Sequence, residues 1–320
     1  MTRAAMRTTL LAVLLAVAPL LAAGRPAHAA MTEAPCAAPV DTAQAQLDAV
    51  GLESARQDGL PVVIAAQCRG FSVVAHEEMD PAEVSDYING AEQAYMRLSA
   101  DSQVTLAPRA LVFLFPTEDA LEDGLQVLAR SPRSQSPHAT PPGFAWLNTI
   151  WVNAEDFDER SDRLASMAHE FTHLFVGTAA HGKPVPSWLN EGLAVRYQFE
   201  LPSAEFPEAT AAGLARDSQR VAAAASGSGP VPLFHLDEIA SGRDWQSNYN
   251  DPLRGGLEYA EGHAAVRWLI DRKGVPTLWS VLRAYGDQSQ AFESVLRDAY
   301  GLGLAEIDAG FRMAAVNLAG

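Results

Sequence analysis

Cysteine is nearly absent from this 320-residue chain: Cys36 and Cys68 are the only two. A single pair cannot build a thiolate metal cluster or a disulfide-dense mini-domain. It can form one disulfide tying the amino-terminal arm to the fold, or remain as two buried free thiols; in neither case is cysteine the chemistry. Positive charge is scarce as well, with 23 lysines and arginines against 39 aspartates and glutamates and a net charge of −16. So negative a surface repels phosphate backbones and anionic membranes, which argues against nucleic acid as a partner. Histidine is also rare, eight in all, so any crowding of imidazoles is informative.

Long apolar runs are missing everywhere except near the start. There, "LLAVLLAVAPLLAA" follows Arg3 and Arg7 and precedes Ala27-His28-Ala29, which fits the small-x-small pattern of a cleavage site. A membrane anchor is the competing reading, but Pro19 interrupts the run and it falls short of the roughly 20 residues a spanning helix needs. Residues 1–30 are therefore expected to be a cleaved signal peptide, and the mature chain to be secreted or periplasmic with no membrane anchor. Without Arg3, Arg7 and Arg25, 20 basic residues face 39 acidic ones, a charge of −19. The rest is long enough to bury a sizeable core, as one large domain or two lobes.

Residues 41–57 read as a helix, and "VVIAAQ" and "FSVVAHE" as a hairpin across Gly70. "DPAEVSDYINGAEQAYMRLSA" opens with an Asp cap and a Pro in the first turn. "RALVFLF" is a compact buried strand, and "PTEDALEDGLQVLAR" a helix beginning at Thr117. Four prolines make 131–143 a loop, after which "FAWLNTIWVNA" reads as one aromatic strand. From Asp158 onward the spacing predicts helices only, over 158–180, 187–200, 207–225, 257–273, 276–285, 289–300 and 304–317. Between the third and fourth, "SGSGPVPLFHLDEIASGRDWQSNYNDPLRGG" reads as a long loop, of a kind that is often a functional lid.

Two of the eight histidines fall within five residues, "HEFTH", His169 to His173. Projected on a helix, Leu164, Met167, Ala168, Phe171, Leu174 and Phe175 form one stripe, and His169 and His173 lie opposite it. Four apart, the imidazoles stand one above the other with about 6 Å of rise between them, close enough to share one ion. Glu170 projects to the side, where it can flank a metal and take a proton rather than bind. Catalytic zinc normally has three protein ligands and one open position, so a third donor is required. It is found in "PVPSWLNEGLAVRYQFE": seventeen residues separate His173 from Glu191. Gly177 and Gly182 end one helix and turn the chain back, so that Glu191 can face the histidines from an antiparallel neighbour. Gly192 would let that neighbour approach closely.

"HEFTH" followed by "WLNEGLA" resembles the gluzincin zinc metallopeptidases, in particular the peptidase MA-like group related to the catalytic domain of membrane-alanyl aminopeptidases. The resemblance covers roughly residues 105–300. It implies an α+β, thermolysin-like zincin fold, with a mixed α/β lobe (31–180), a helical lobe (181–320) and the metal helix at their junction. It further implies one Zn2+ per chain held by His169, His173 and Glu191, with Glu170 as general base and later proton donor. The aminopeptidases carry a Gly-x-Met-Glu-Asn element before the metal helix; here that strand reads "GFAWLNTIWVN" and lacks the acidic anchor. The expected activity is therefore hydrolysis of peptide or protein substrates, as an endopeptidase rather than an aminopeptidase. The family also supplies an oxyanion-binding tyrosine, for which Tyr259 is the candidate, with Tyr249 as substitute and ordinary packing as the competing role. His263, four residues after Tyr259, reads as a helix-surface histidine. The alternative function is a zinc-binding but non-catalytic envelope interaction module on the same fold.

Overall fold

The computed structural model describes Cys36 and residues 56–68, 70–129, 142–249, 251 and 253–317. The signal segment, most of the 41–57 helix and residues 130–141 of the proline-rich loop lie outside the described residues. The fold is mixed α and β, built on one five-stranded sheet. Its strands are β1 (Val62–Gln67), β2 (Phe71–His76), β3 (Ala110–Phe115), β4 (Gly143–Trp146) and β5 (Thr149–Asn153), in the order β1-β2-β3-β5-β4. β2, β3 and β5 run parallel, while β1 and β4 are antiparallel edges.

Side-chain alternation decides what each sheet face covers. Val73, Ala75, Val112, Leu114, Ile150 and Val152 join the main core, beneath α1 (Pro81–Ser102) and α3 (Arg160–Ala179). Val74, Phe113, Phe115 and Trp151 point the other way, toward Leu121 of α2 (Glu118–Leu128). Both faces are thus buried, as parallel strands require. The expected caps are present: Asp80 Oδ1 accepts the Ala82 amide at 2.7 Å and Thr117 Oγ1 the Ala120 amide at 3.3 Å. Cys36 and Cys68 form a disulfide, and the Cys36 amide hydrogen-bonds to Glu92 on α1.

"FAWLNTIWVN" is two strands rather than one. Trp146 pairs with Thr149, so Leu147 and Asn148 form a two-residue hairpin loop, with Leu147 at φ 55°. Asn148 secures the turn by donating from Nδ2 to the carbonyls of Pro108 and Arg109, each at 2.8 Å. The alternation of apolar residues runs through the turn without a glycine, which hides the reversal from a periodicity reading.

The helical part contains α4 (Ser187–Glu200), α5 (Pro207–Ser226), α6 (Gly242–Tyr249), α7 (Gly255–Asp287), α8 (Phe292–Tyr300) and α9 (Leu304–Asn317). α7 takes in the two expected helices 257–273 and 276–285, with non-helical Gly274 (φ 78°) between them and Pro276 just beyond. α6 falls inside the expected long loop. Its signal is Ser241-x-x-Asp244, whose Ser241 Oγ accepts the Asp244 amide at 3.2 Å, a helix-start pattern.

The rest of that stretch is not a free lid. Leu233, Phe234, Leu236 and Ile239 are buried, and the carbonyls of Ala240 and Ile239 accept the Ser187 and Trp188 amides at 2.8 and 3.2 Å. It therefore caps the start of α4, satisfying amides that a helix leaves without internal partners. Arg312 and Asp308 of α9 hold its other end, through the Phe234 carbonyl (2.8 Å) and the Leu236 amide (3.2 Å).

Gly192 serves a different helix from the one expected. A Cβ built there would lie 2.2 Å from the Gly262 carbonyl oxygen, so the close approach is between α4 and α7, not between α4 and α3. Gly192→Ala is expected to destabilise the fold by about 2–3 kcal/mol, because overpacking against backbone outweighs the ~1 kcal/mol gain in helix propensity. Urea unfolding measures the difference.

Candidate active site

On α3 the apolar stripe is buried as the helical projection requires: Leu164, Met167, Ala168, Phe171, Leu174 and Phe175 are each at most 3% exposed. This packing fixes the rotation of the helix and turns His169 and His173 toward a cleft of about 1000 Å³. Their side chains are 14% and 16% exposed, and their rings meet edge to face at 4.8 Å. α4 runs back alongside and brings Glu191 to them. Glu191 Oε2 stands 3.4 Å from His169 Nε2 and 3.6 Å from His173 Nε2.

Two donors bound to one zinc at 2.0–2.1 Å with a tetrahedral angle between them are separated by about 3.3–3.4 Å. Both carboxylate–imidazole separations approach this tetrahedral edge, and the donor set of two imidazoles and one carboxylate matches a zinc site with an open position. The residues present therefore fit the metal.

Among the described residues, one outer contact supports the site: His169 Nδ1 lies 2.9 Å from Gln198 Oε1. A donating Nδ1 leaves Nε2 unprotonated for a metal. Gln198 was not picked out in the sequence, although it follows Glu191 by seven residues and so shares its helical face. Gln198→Leu is expected to weaken zinc binding about 10- to 100-fold while leaving the fold intact. Competition with a chromophoric chelator gives the affinity. His173 Nδ1 is buried with no partner among the described residues.

Glu170 is 5% exposed and its Oε2 has no hydrogen-bond partner among the described residues. Burial pushes its carboxyl up from the ordinary value, opposed by His169, His173 and the Ala145 amide of β4. In His169, desolvation favours the neutral ring, but the Glu191 and Glu170 carboxylates outweigh it and lift the imidazole to about 9. The same imidazoles draw Glu191 below its ordinary value against its own burial. A cation is thus favoured among these carboxylates, be it a proton on imidazole or a metal.

Tyr259 of α7 lines the same cleft, its ring 6.2 Å from that of His169. Gly143, Phe144, Ala145 and Leu147 of the β4 hairpin form another part of the wall. Of the long expected strand, only this edge piece reaches the cleft; β5 lies between β3 and β4. Tyr249 ends α6, and its side chain is outside the described residues. His263 is neither on the surface nor in the cleft. It is 5% exposed, packs 5.6 Å from the Phe199 ring, and is held down to about 3 by burial and by Arg267 and Arg196. Sequence reading also missed the buried carboxyls of Glu258 and Glu261, which burial raises to about 7 and about 8.

No protein-family profile matches the sequence, and no curated protein matches it. Among solved structures, the chain is similar to an M1 zinc metallopeptidase from Deinococcus radiodurans, with a TM-score of 0.41, 13% identity, and 77% of this chain and 48% of that one covered. A glutamate-to-alanine mutant of that enzyme gives 0.41, 13%, 76% and 47%. The chain spans about half the length of these structures. The roles of individual residues rest on the site's own geometry.

Proposed function

We propose that this chain is an exported zinc-dependent peptidase, an endopeptidase rather than an aminopeptidase, holding one zinc ion through His169, His173 and Glu191. The observation that carries this reading is the pair of 3.4 and 3.6 Å separations from one carboxylate oxygen to two imidazole nitrogens. When bound there, zinc would supply a Lewis acid and lower the pKa of water toward about 7.

Glu170 takes a proton from the attacking water on its Oε2, which has no partner among the described residues, and returns it to the leaving amine. Burial suits it to this role, because a raised carboxyl is a stronger base near neutrality. Tyr259 donates to the oxyanion as it develops, and hydrogen bonds to such an oxygen contribute about 2.7–4 kcal/mol. The outer edge of β4, unpaired among the described residues, pairs with an extended substrate backbone, which gives affinity with little dependence on side chains. β4 brings no carboxylate to the cleft to hold a free amino terminus, which supports internal cleavage. Residues of β4 and α3 line one side of the cleft, and residues of α4, α5 and α7 the other.

Export is supported by the disulfide, which persists in oxidising compartments. No helix among the described residues is long and apolar enough to cross a membrane. The partner is a peptide or unfolded protein, and the acidic surface disfavours nucleic acid.

Digestion of an unfolded protein and a peptide library, with and without chelator, tests the proposal alongside metal analysis. The expected result is internal cleavage that chelation abolishes and zinc restores, with one zinc per chain. Zinc binding without cleavage of any peptide would leave only a binding module.

A further inference from the structure

The geometry points to Trp245 as a positioning residue that seats the Tyr259 ring for its work at the reacting carbonyl. The inference rests on the proposed role of Tyr259. Trp245 is carried by α6, where its neighbours Arg243, Asp244 and Gln246 are exposed, yet its indole is only 6% exposed and lines the cleft. It meets the Tyr259 ring edge to face, at 5.1 Å between centroids and 83° between planes. Tyr259 in turn stands 6.2 Å from His169, so the three rings form a chain from α6 through α7 to the metal helix.

The indole contributes shape rather than a hydrogen bond, since its Nε1 is buried without a partner among the described residues. α6 is fastened to the start of α7 beside this contact. Asn248 donates from Nδ2 to the fully buried Glu258, the residue next to Tyr259. Arg254 donates to Asn248 Oδ1 at 3.3 Å, and Ser241 caps the other end of the helix at the Asp244 amide. A tyrosine ring on a helix has two χ angles to fix. Trp245 restricts one side of it, so the hydroxyl is held in place before substrate arrives instead of being ordered during the reaction.

The test is a double-mutant cycle on the zinc-loaded enzyme with a fluorogenic peptide. Tyr259→Phe is expected to lower kcat about 10²-fold with little change in KM. Trp245→Ala is expected to lower kcat about tenfold in the presence of Tyr259, but less than about twofold in the Tyr259→Phe background. Trp245→Phe keeps an aromatic ring at the contact but gives up the indole's second ring as well as its N–H, so it should fold normally and retain more activity than Trp245→Ala. A second readout needs no metal: with 3-fluorotyrosine incorporated, the 19F resonance that Tyr259→Phe deletes should shift and broaden in Trp245→Ala.

Equal losses in both backgrounds, an effect on KM alone, or an unmoved 19F line would overturn the positioning role. So would full activity in a folded Trp245→Ala. Normal turnover by Tyr259→Phe would remove the tyrosine assignment and this inference with it. Loss of peptide cleavage in Glu170→Gln would still stand as separate support for the hydrolase.

Discussion

Glu170→Gln is expected to abolish peptide hydrolysis while leaving the zinc in place. The amide has nearly the shape of the carboxylate, so the packing of α3 against the sheet and the spacing of His169, His173 and Glu191 are undisturbed. What disappears is the ability to take a proton at Oε2. Positioned general bases contribute 10²–10⁴-fold, and here one group serves both the attack and the departure of the amine. A fall in kcat/KM of about 10³-fold or more follows, with the zinc content unchanged. Stability should not suffer, because burial already raises this carboxyl and a neutral amide escapes that penalty. Peptide turnover and elemental analysis on the same sample make the measurement. Retained turnover, or loss of the metal, would defeat the assignment of Glu170 as base.

The second large effect is on stability in acid, and its source is His263. This imidazole is 5% exposed and is held at about 3, against an ordinary 6.5, by burial and then by Arg267 and Arg196. It borders a cavity of about 110 Å³ that Asp217, Trp268, Asp271 and Phe311 also line. The folded state holds the neutral ring and the unfolded state takes up a proton. The stabilisation is therefore complete above about pH 6.5 and is lost progressively as pH falls toward 3. At about 1.4 kcal/mol for each tenfold difference in proton affinity, a few kcal/mol are at stake, a large fraction of a domain's net stability.

Glu261 acts in the opposite sense. Raised by burial to about 8, it stabilises most below about 4.5 and loses that contribution as pH climbs through 8. Urea midpoints of the wild type should therefore drop on both sides of mildly acidic pH. His263→Phe should flatten the acid side and Glu261→Gln the alkaline side. An unchanged acid limb in His263→Phe would show that the imidazole is not the controlling group.

The grouping of His169, Glu170, His173 and Glu191 was legible because a helix converts spacing into direction. A spacing of four positions between the imidazoles and a six-residue apolar stripe specify a face without any knowledge of the rest of the chain. The turn at Gly182 (φ 73°) then specifies an antiparallel neighbour, which brings Glu191 opposite; Gly177, also expected to end the helix, lies within α3, which runs on to Ala179. The hairpin at Leu147–Asn148 was not legible, since its strands alternate in phase across the turn and glycine is missing. Nor was the true role of Gly192, because nothing local says which of two packed helices a missing side chain accommodates. α6 did leave a mark, the Ser241–Asp244 cap, which its Gly-, Ser- and Asn-rich surroundings obscured.

Local information thus determined the elements of this protein: an acidic chain with one cysteine pair, strands before residue 155, only helices after it, and two histidines and a glutamate facing one another from two adjacent helices. Only the tertiary structure decided that Gln198 supports His169, that Trp245 backs Tyr259, and that His263 is interior rather than exposed. Periodicity assigns a residue to a face of its own element, whereas its burial and partners depend on which distant element covers that face. For α7 those partners come from α1, α3, α4, α5, α6, α8 and α9, brought together by packing that no short window of sequence contains.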